Sequence, residues 1–150
     1  MAQTLYNHLM RYSNLHELNP GLTNDKINEF ELKNHIMLPI ELKELYLHFD
    51  GGELFIPGTT IYGIYDSSME NSIKNRNAKA VRQKMSLTAN YLIIAKLNYG
   101  DLICVDLNKP NKVIQWSHET DELFCEWDNI DQWLSEMIAD YEEYEAGEQS

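Results

Sequence analysis

The stretch Leu38-Pro39-Ile40-Glu41-Leu42-Lys43-Glu44-Leu45-Tyr46-Leu47-His48-Phe49-Asp50-Gly51-Gly52 decides how the rest of the chain is read. Pro39 suits a first helical position, where its fixed φ fits and its missing N–H would have no partner. Leu42, Leu45, Tyr46 and Phe49 recur at i, i+3, i+4, i+7 and lay apolar side chains along one face. Gly51 can take the left-handed conformation that closes a last turn, with Gly52 extending it. The spacing therefore predicts a helix with both ends marked. Before it the apolar period is helical, and after it the period falls to two, so the stretch is a pivot between a helical half and a sheet half.

Upstream, Leu5, Leu9 and Tyr12 predict a first helix over 3–12, which Asn19-Pro20-Gly21 breaks. Thr23 or Asn24 can cap a second helix whose inner face carries Ile27 and Phe30. Downstream, Leu54-Phe55-Ile56 and Thr59 to Tyr65 are β-branched and aromatic, and Pro57-Gly58 between them reads as a turn. Residues 66–86 form a polar excursion with a short helix expected from Ala78 to Met85, and long excursions in compact domains are often binding elements. Tyr91–Leu97 and Asp101–Leu107 should pair as an antiparallel hairpin through Asn98-Tyr99-Gly100. Val113–Trp116 and a short run at Leu123-Phe124-Cys125 add further strands. A last helix starts near Asp128 and carries Ile130, Trp133, Leu134, Met137, Ile138 and Tyr141 as a nearly continuous stripe. Helices, then a meander, then one helix argue for an α+β fold with an antiparallel twisted sheet and a C-terminal amphipathic helix packed on it.

The spacing Ile27-x-x-Phe30-Glu31, then Leu38-Pro39-x-Glu41-Leu42-Lys43-Glu44-Leu45-Tyr46, then Asp50-Gly51-Gly52 resembles the opening signature of the SUKH superfamily. The likeness continues through Tyr62-Gly63-Ile64, Tyr99-Gly100-Asp101 and the last helix, covering about residues 23–140. Asp50 departs from the Asn-Gly expected more often at that turn, and both residues tolerate it. That superfamily includes fungal cell-wall-assembly regulators and bacterial immunity proteins that neutralise polymorphic toxins. The resemblance implies the same α+β architecture and a protein-binding role.

At 150 residues the chain fits a single domain, with a core at about 23–140 and a frayed acidic tail over 141–150. No apolar run approaches the length of a membrane helix, and the start lacks the pattern of a signal peptide. Cys104 and Cys125 lie in strand-like apolar contexts and read as buried reduced thiols, which points to the cytosol. The formal net charge is −12. Residues 1–112 hold all 12 Lys and Arg and 12 acids, whereas 113–150 hold the other 12 acids and no Lys or Arg, so the whole excess lies at the end. Lys74, Arg76, Lys79, Arg82 and Lys84 form a basic middle segment.

Catalytic signatures are missing. There is no G-x-S-x-G, phosphate loop or H-E-x-x-H, and the histidines make no metal-ligand spacing with a cysteine. No cofactor or metal is expected. His118-Glu119 reads as solvated loop residues, and Tyr62, Tyr65, Trp116 and Trp133 as core aromatics. Direct nucleic-acid binding conflicts with the charge. The expected role is therefore contact with a protein toxin, a basic nuclease domain being a natural target for an acidic inhibitor; the alternative is a regulatory scaffold. Glu119, Asp121, Glu122 and Glu126, with Asp140, Glu142, Glu143 and Glu145 on the helix, are the residues expected to meet the partner. A monomer is expected, with a homodimer as the alternative. Lys96 and Asp106 are expected to guard a sheet edge.

Overall fold

A computed structural model of the chain describes residues 1–65, 72–109 and 112–149. Among these, α1 (Gln3–Met10), α2 (Asn24–Asn34) and α3 (Ile40–His48) dominate the first third, with β1 (Glu17–Pro20) between α1 and α2. The strands β2 (Phe49–Leu54), β3 (Thr59–Ile61), β4 (Tyr91–Lys96), β5 (Leu102–Asp106), β6 (Val113–Ser117) and β7 (Glu122–Trp127) follow. Short helices α4 (Ile73–Arg76) and α5 (Lys79–Arg82) lie between β3 and β4, and α6 (Ile130–Gln149) comes last. The strands form one sheet whose spatial order follows chain order, each pairing antiparallel with the next. This is the α+β meander with a C-terminal helix that the pattern predicts.

The pivot stretch behaves as expected on its inner face and differently at its end. Leu42, Leu45, Tyr46 and Phe49 are all buried. Pro39 is the cap residue rather than the first helical one, and the helix stops at His48, so Phe49 already belongs to β2. Gly51 (φ +72°) and Gly52 (φ +127°) sit inside that strand instead of closing the helix. Their missing side chains permit close approach of both neighbouring strands. A Cβ on Gly51 would lie 2.6 Å from the Ile61 carbonyl oxygen, and one on Gly52 would lie 2.2 Å from that of Glu17.

Between Phe49 and these glycines, Asp50 is buried with a purpose its sequence context does not announce. Its Oδ1 accepts from the Ile64 N–H at 2.6 Å and its Oδ2 from the Tyr65 N–H at 2.9 Å. Asn19 donates to its backbone carbonyl at 2.9 Å, and Tyr46 donates to the Tyr62 carbonyl at 2.6 Å. Burial, then the nearby Asp50 charge, holds the Tyr46 hydroxyl well above the usual tyrosine pKa. The pivot thus ties β1, β2 and the chain beyond β3 into one polar knot within the core.

Cross-strand partners point to the same face of a sheet. Ile103, Val105, Val113 and Gln115 share one face, and Leu102, Cys104, Ile114 and Trp116 share the other. The first lies under α6, whose Trp133, Leu134 and Ile138 are buried. The second faces α4 and α5, with Ile73 buried beneath them. Strands covered on both sides read as continuous apolar runs, which explains Leu92-Ile93-Ile94-Ala95. Where β3 ends, the Asn77 side chain replaces it: its amide nitrogen donates to the Ile93 carbonyl and its oxygen accepts from the Ile93 N–H, both at 2.8 Å. The polar excursion therefore holds two short helices docked on the sheet, not one over 78–85; its residues 66–71 lie outside the described residues.

Several local expectations are corrected. The break at Asn19-Pro20-Gly21 contains the end of β1, a four-residue strand too short to show a period. Lys96 and Asp106 lie on β4 and β5 in mid-sheet, so they guard no edge; β1 and β7 are the edges. Cys104 is buried, whereas Cys125 is exposed on β7, and both thiols are free. Tyr65 is exposed, unlike the other aromatics read as core. Asn129 rather than Asp128 caps α6, its Oδ1 accepting from the Gln132 N–H at 2.7 Å. Glu41 of α3 reaches across to accept from the Ile130 and Asp131 N–H groups, and burial raises its pKa despite those bonds. The last helix stays helical through Ala146-Gly147 to Gln149.

His16 gives this architecture a pH dependence. Its Nδ1 accepts from the Phe55 N–H at 3.0 Å and its Nε2 donates to the Leu9 carbonyl at 3.1 Å, an arrangement only the neutral ring can make. Burial depresses its pKa below the ordinary 6.5, outweighing the Leu9 and Leu15 carbonyls. The unfolded chain then binds more protons than the folded one below that value, so this group's contribution is complete above the ordinary histidine pKa and is lost as pH falls through the folded value. The denaturation midpoint should drop as pH is lowered from 6.5 toward 5, with a shallower drop in His16→Gln. Parallel slopes for the two proteins would remove His16 as the cause.

Candidate functional site

The eight acids expected to meet a partner fall into distinct settings. Glu119 projects from the β6–β7 turn, where Ser117 Oγ accepts from the Glu119 and Thr120 N–H groups at 3.3 Å. Glu122 opens β7, and both residues are exposed. Asp121, between them, is engaged within the fold. Its carboxylate accepts from the Ser86 hydroxyl at 2.6 Å, the Ser86 N–H at 2.9 Å and Trp116 Nε1 at 2.9 Å. The Ser86 hydroxyl, then the Ser86 N–H, hold its pKa below the usual range against desolvation. It works as a tether from the turn to the excursion. Glu126 shares Lys112 with Asp128, at 3.3 and 2.8 Å.

On α6 the acids divide into two rows. Glu142 pairs with His8 of α1. Glu145 lies beside Tyr141, which stacks on Phe55 at 4.6 Å. That row faces the N-terminal part of the chain. Asp140 and Glu143 follow Glu136 at i+4 and i+7 on the other side of the helix, where Glu136 and Asp140 line a groove with Gly58, Thr59, Leu97 and Tyr99. Burial first, then the neighbouring charges of Glu136 and Glu143, raises the Asp140 pKa. Trp127 Nε1 donates to Glu136 at 2.5 Å, which binds this row to the sheet edge.

Sequence reasoning missed what lies between these acids. A groove of about 220 Å³ runs between α6 and the sheet, lined by Tyr99, Gln115, Trp127, Glu136, Met137 and Asp140 among others. Phe124, the register partner of Gln115, points to the same sheet face and is 45% exposed, while Tyr99 is 59% exposed. Leu123 is exposed on the other face. Among the described residues, strand β7 pairs only with β6. It is an open edge with apolar side chains on both faces, flanked by Glu119, Glu122 and Glu126. The apolar run Leu123-Phe124-Cys125 reads as a short strand with a buried thiol; the position of β7 at the rim exposes it.

His118 Nδ1 lies 2.6 Å from Asp101 Oδ1, not beside Glu119, and Gln115 donates to the other Asp101 oxygen at 2.9 Å. Burial pushes the Asp101 pKa up, but the His118 and Gln115 hydrogen bonds more than offset it and leave it lowered. Among the described residues no hydroxyl or thiol is bonded to the His118 ring. Burial pushes the Cys104 thiol to about 12, which keeps it protonated. No cluster of three or more metal-ligating side chains gathers among the described residues, and none of their helices is long and apolar enough to cross a membrane.

Comparison with known proteins adds the family. No curated protein matches the chain. The model of the SMI1 / KNR4 family (SUKH-1) matches residues 21–136, which takes in α2, α3, every strand from β2 onward and the first part of α6. The chain belongs to the SMI1/KNR4 family (SUKH-1), as the spacing around Leu38–Gly52 implies.

Proposed function

We propose that this chain is a cytosolic immunity-type protein that neutralises a basic protein toxin, plausible targets including a nuclease domain, by stoichiometric contact through the β7 rim. Membership of the family supports a protein-interaction module of the immunity or regulatory kind. The observation that carries the finer reading is the open strand β7, with Leu123 and Phe124 exposed between Glu119, Glu122 and Glu126, and with Glu136 bonded to Trp127 at its end. Apolar side chains supply affinity at the centre of an interface, and charges around them set approach rate and partner choice. A second copy of the chain fits this rim poorly, because it would bring like charges face to face.

Reversing Glu119 and Glu122 to Lys tests the electrostatic half. The association rate with the toxin domain encoded beside this gene should fall about tenfold at low salt, and its salt dependence should flatten. The dissociation rate should change little. An unaltered association rate and salt slope would show that these acids do not steer the encounter.

A second reading, a regulatory scaffold, is favoured by a separate feature. Leu32, Met37 and Ile40 around the α2–α3 connection are 79%, 84% and 73% exposed, far from β7 in the fold order. Two separate apolar surfaces suit a protein that joins two partners. Substituting this patch and finding toxin neutralisation intact while a cellular interaction is lost would favour the scaffold.

A further inference from the structure

The basic middle segment plays no part in the function proposed above, and one of its members is set unusually. Arg76 is half-buried, with its guanidinium carbon 5.5 Å from the centre of the Tyr62 ring. Its Nε is fully enclosed and has no hydrogen-bond partner. It forms no ion pair with any described residue. A guanidinium presents five donors in a planar fork and accepts nothing, so leaving a buried donor unmade is costly. The side chain borders a cavity of about 250 Å³ on the sheet face opposite α6. Tyr62, Ile93, Leu102 and Trp116 provide apolar and aromatic walls, and Lys96 joins Arg76 as a cationic group. Among the described residues, Asp101 is engaged with His118 and Gln115, and Asp121 with Ser86 and Trp116.

We propose that this cavity binds a small anion with an apolar body, one ring or a short alkyl chain bearing a carboxylate or phosphate. The head group takes the Arg76 fork, with Lys96 adding charge, and the body lies against Tyr62 and Trp116. Bidentate, charge-assisted bonds to arginine are the geometry such head groups favour. The size sets the limit: at about 250 Å³ the space falls below the about 300–1,000 Å³ common for drug-sized ligands, so a single ring fits and a whole nucleotide does not.

The test is a titration of the intact protein with phenylacetate, phenyl phosphate and the neutral phenylacetamide, followed by amide NMR shifts. Saturable shifts at Tyr62, Gly100 and His118 are expected for the two anions, with phenylacetamide at least about tenfold weaker. The tighter of the two anions identifies the head group. Arg76→Gln should weaken the anions about tenfold and Arg76→Lys less, since charge without the fork recovers only part of the interaction. Lys96→Met, on a different element, should weaken them about threefold and guards against a local disturbance of α4. Shifts that do not saturate by tens of millimolar, equal binding of the amide, or affinities unchanged in all three variants would overturn the proposal.

Discussion

Asp50→Ala should lose about 3–5 kcal/mol of folding stability, the largest effect expected from any single polar substitution in this chain. The Asp50 carboxylate is only 3% exposed and accepts from two backbone N–H groups, those of Ile64 and Tyr65. Hydrogen bonds to a charged group contribute about 1.5–3 kcal/mol each, and removing the acceptor strands the buried Ile64 donor in an apolar surround. Asp50→Asn should fall between wild type and Ala. It keeps one oxygen but turns an NH₂ toward a second N–H, so one bond survives and one becomes a donor–donor contact. Urea unfolding followed by circular dichroism gives both values. A midpoint for Asp50→Ala within 1 kcal/mol of wild type would mean that the loop after β3 finds other acceptors and that the knot is not structural. The same comparison bears on the family pattern, because the Asn-Gly expected more often at this turn supplies only half of what Asp50 supplies here.

Phe124→Ala should weaken binding of the cognate partner by about 2–4 kcal/mol, roughly 30- to 1,000-fold in Kd, while leaving the unfolding midpoint nearly unchanged. The asymmetry follows from its position. A half-exposed ring on an edge strand contributes little to the core, yet it is the largest apolar side chain at the centre of the acidic rim. Calorimetry on the purified pair measures the first quantity and thermal unfolding the second. Leu32→Ala, on the distant apolar patch, is the control and should leave this affinity intact. A loss under threefold for Phe124→Ala in a folded protein would move the interface away from β7, even if the Glu119 and Glu122 reversals still slowed association.

Most of the fold could be read from apolar period. The stripes of α3 and α6 and the hairpin of β4 and β5 have enough residues for spacing to be unambiguous, and all three occur close to where they are expected. What failed was short or relational. β1 has four residues and no period of its own; it exists because Gly52 lets Glu17 and Leu18 approach β2. Asp50, Asn77 and Asp121 look alike in sequence, as polar residues near turns, yet each closes a backbone gap that only the fold creates. Charge counting located the acidic end but could not separate Glu142, paired with His8, from Asp140, which lines the groove beside Glu136. Nor could it show Phe124 and Leu123 exposed, since a short apolar run reads the same in an edge strand and in an interior one.

A sheet in which every strand lies beside its predecessor can grow strand by strand as the chain leaves the ribosome. The face formed by Ile103, Val105 and Val113 is different, because its cover is the twenty-residue α6, which is synthesised after every strand of the sheet. Until that helix emerges, an almost complete sheet presents a greasy side and a free edge together. Nascent chains stalled before Ile130 are therefore the form of this protein most in need of a chaperone.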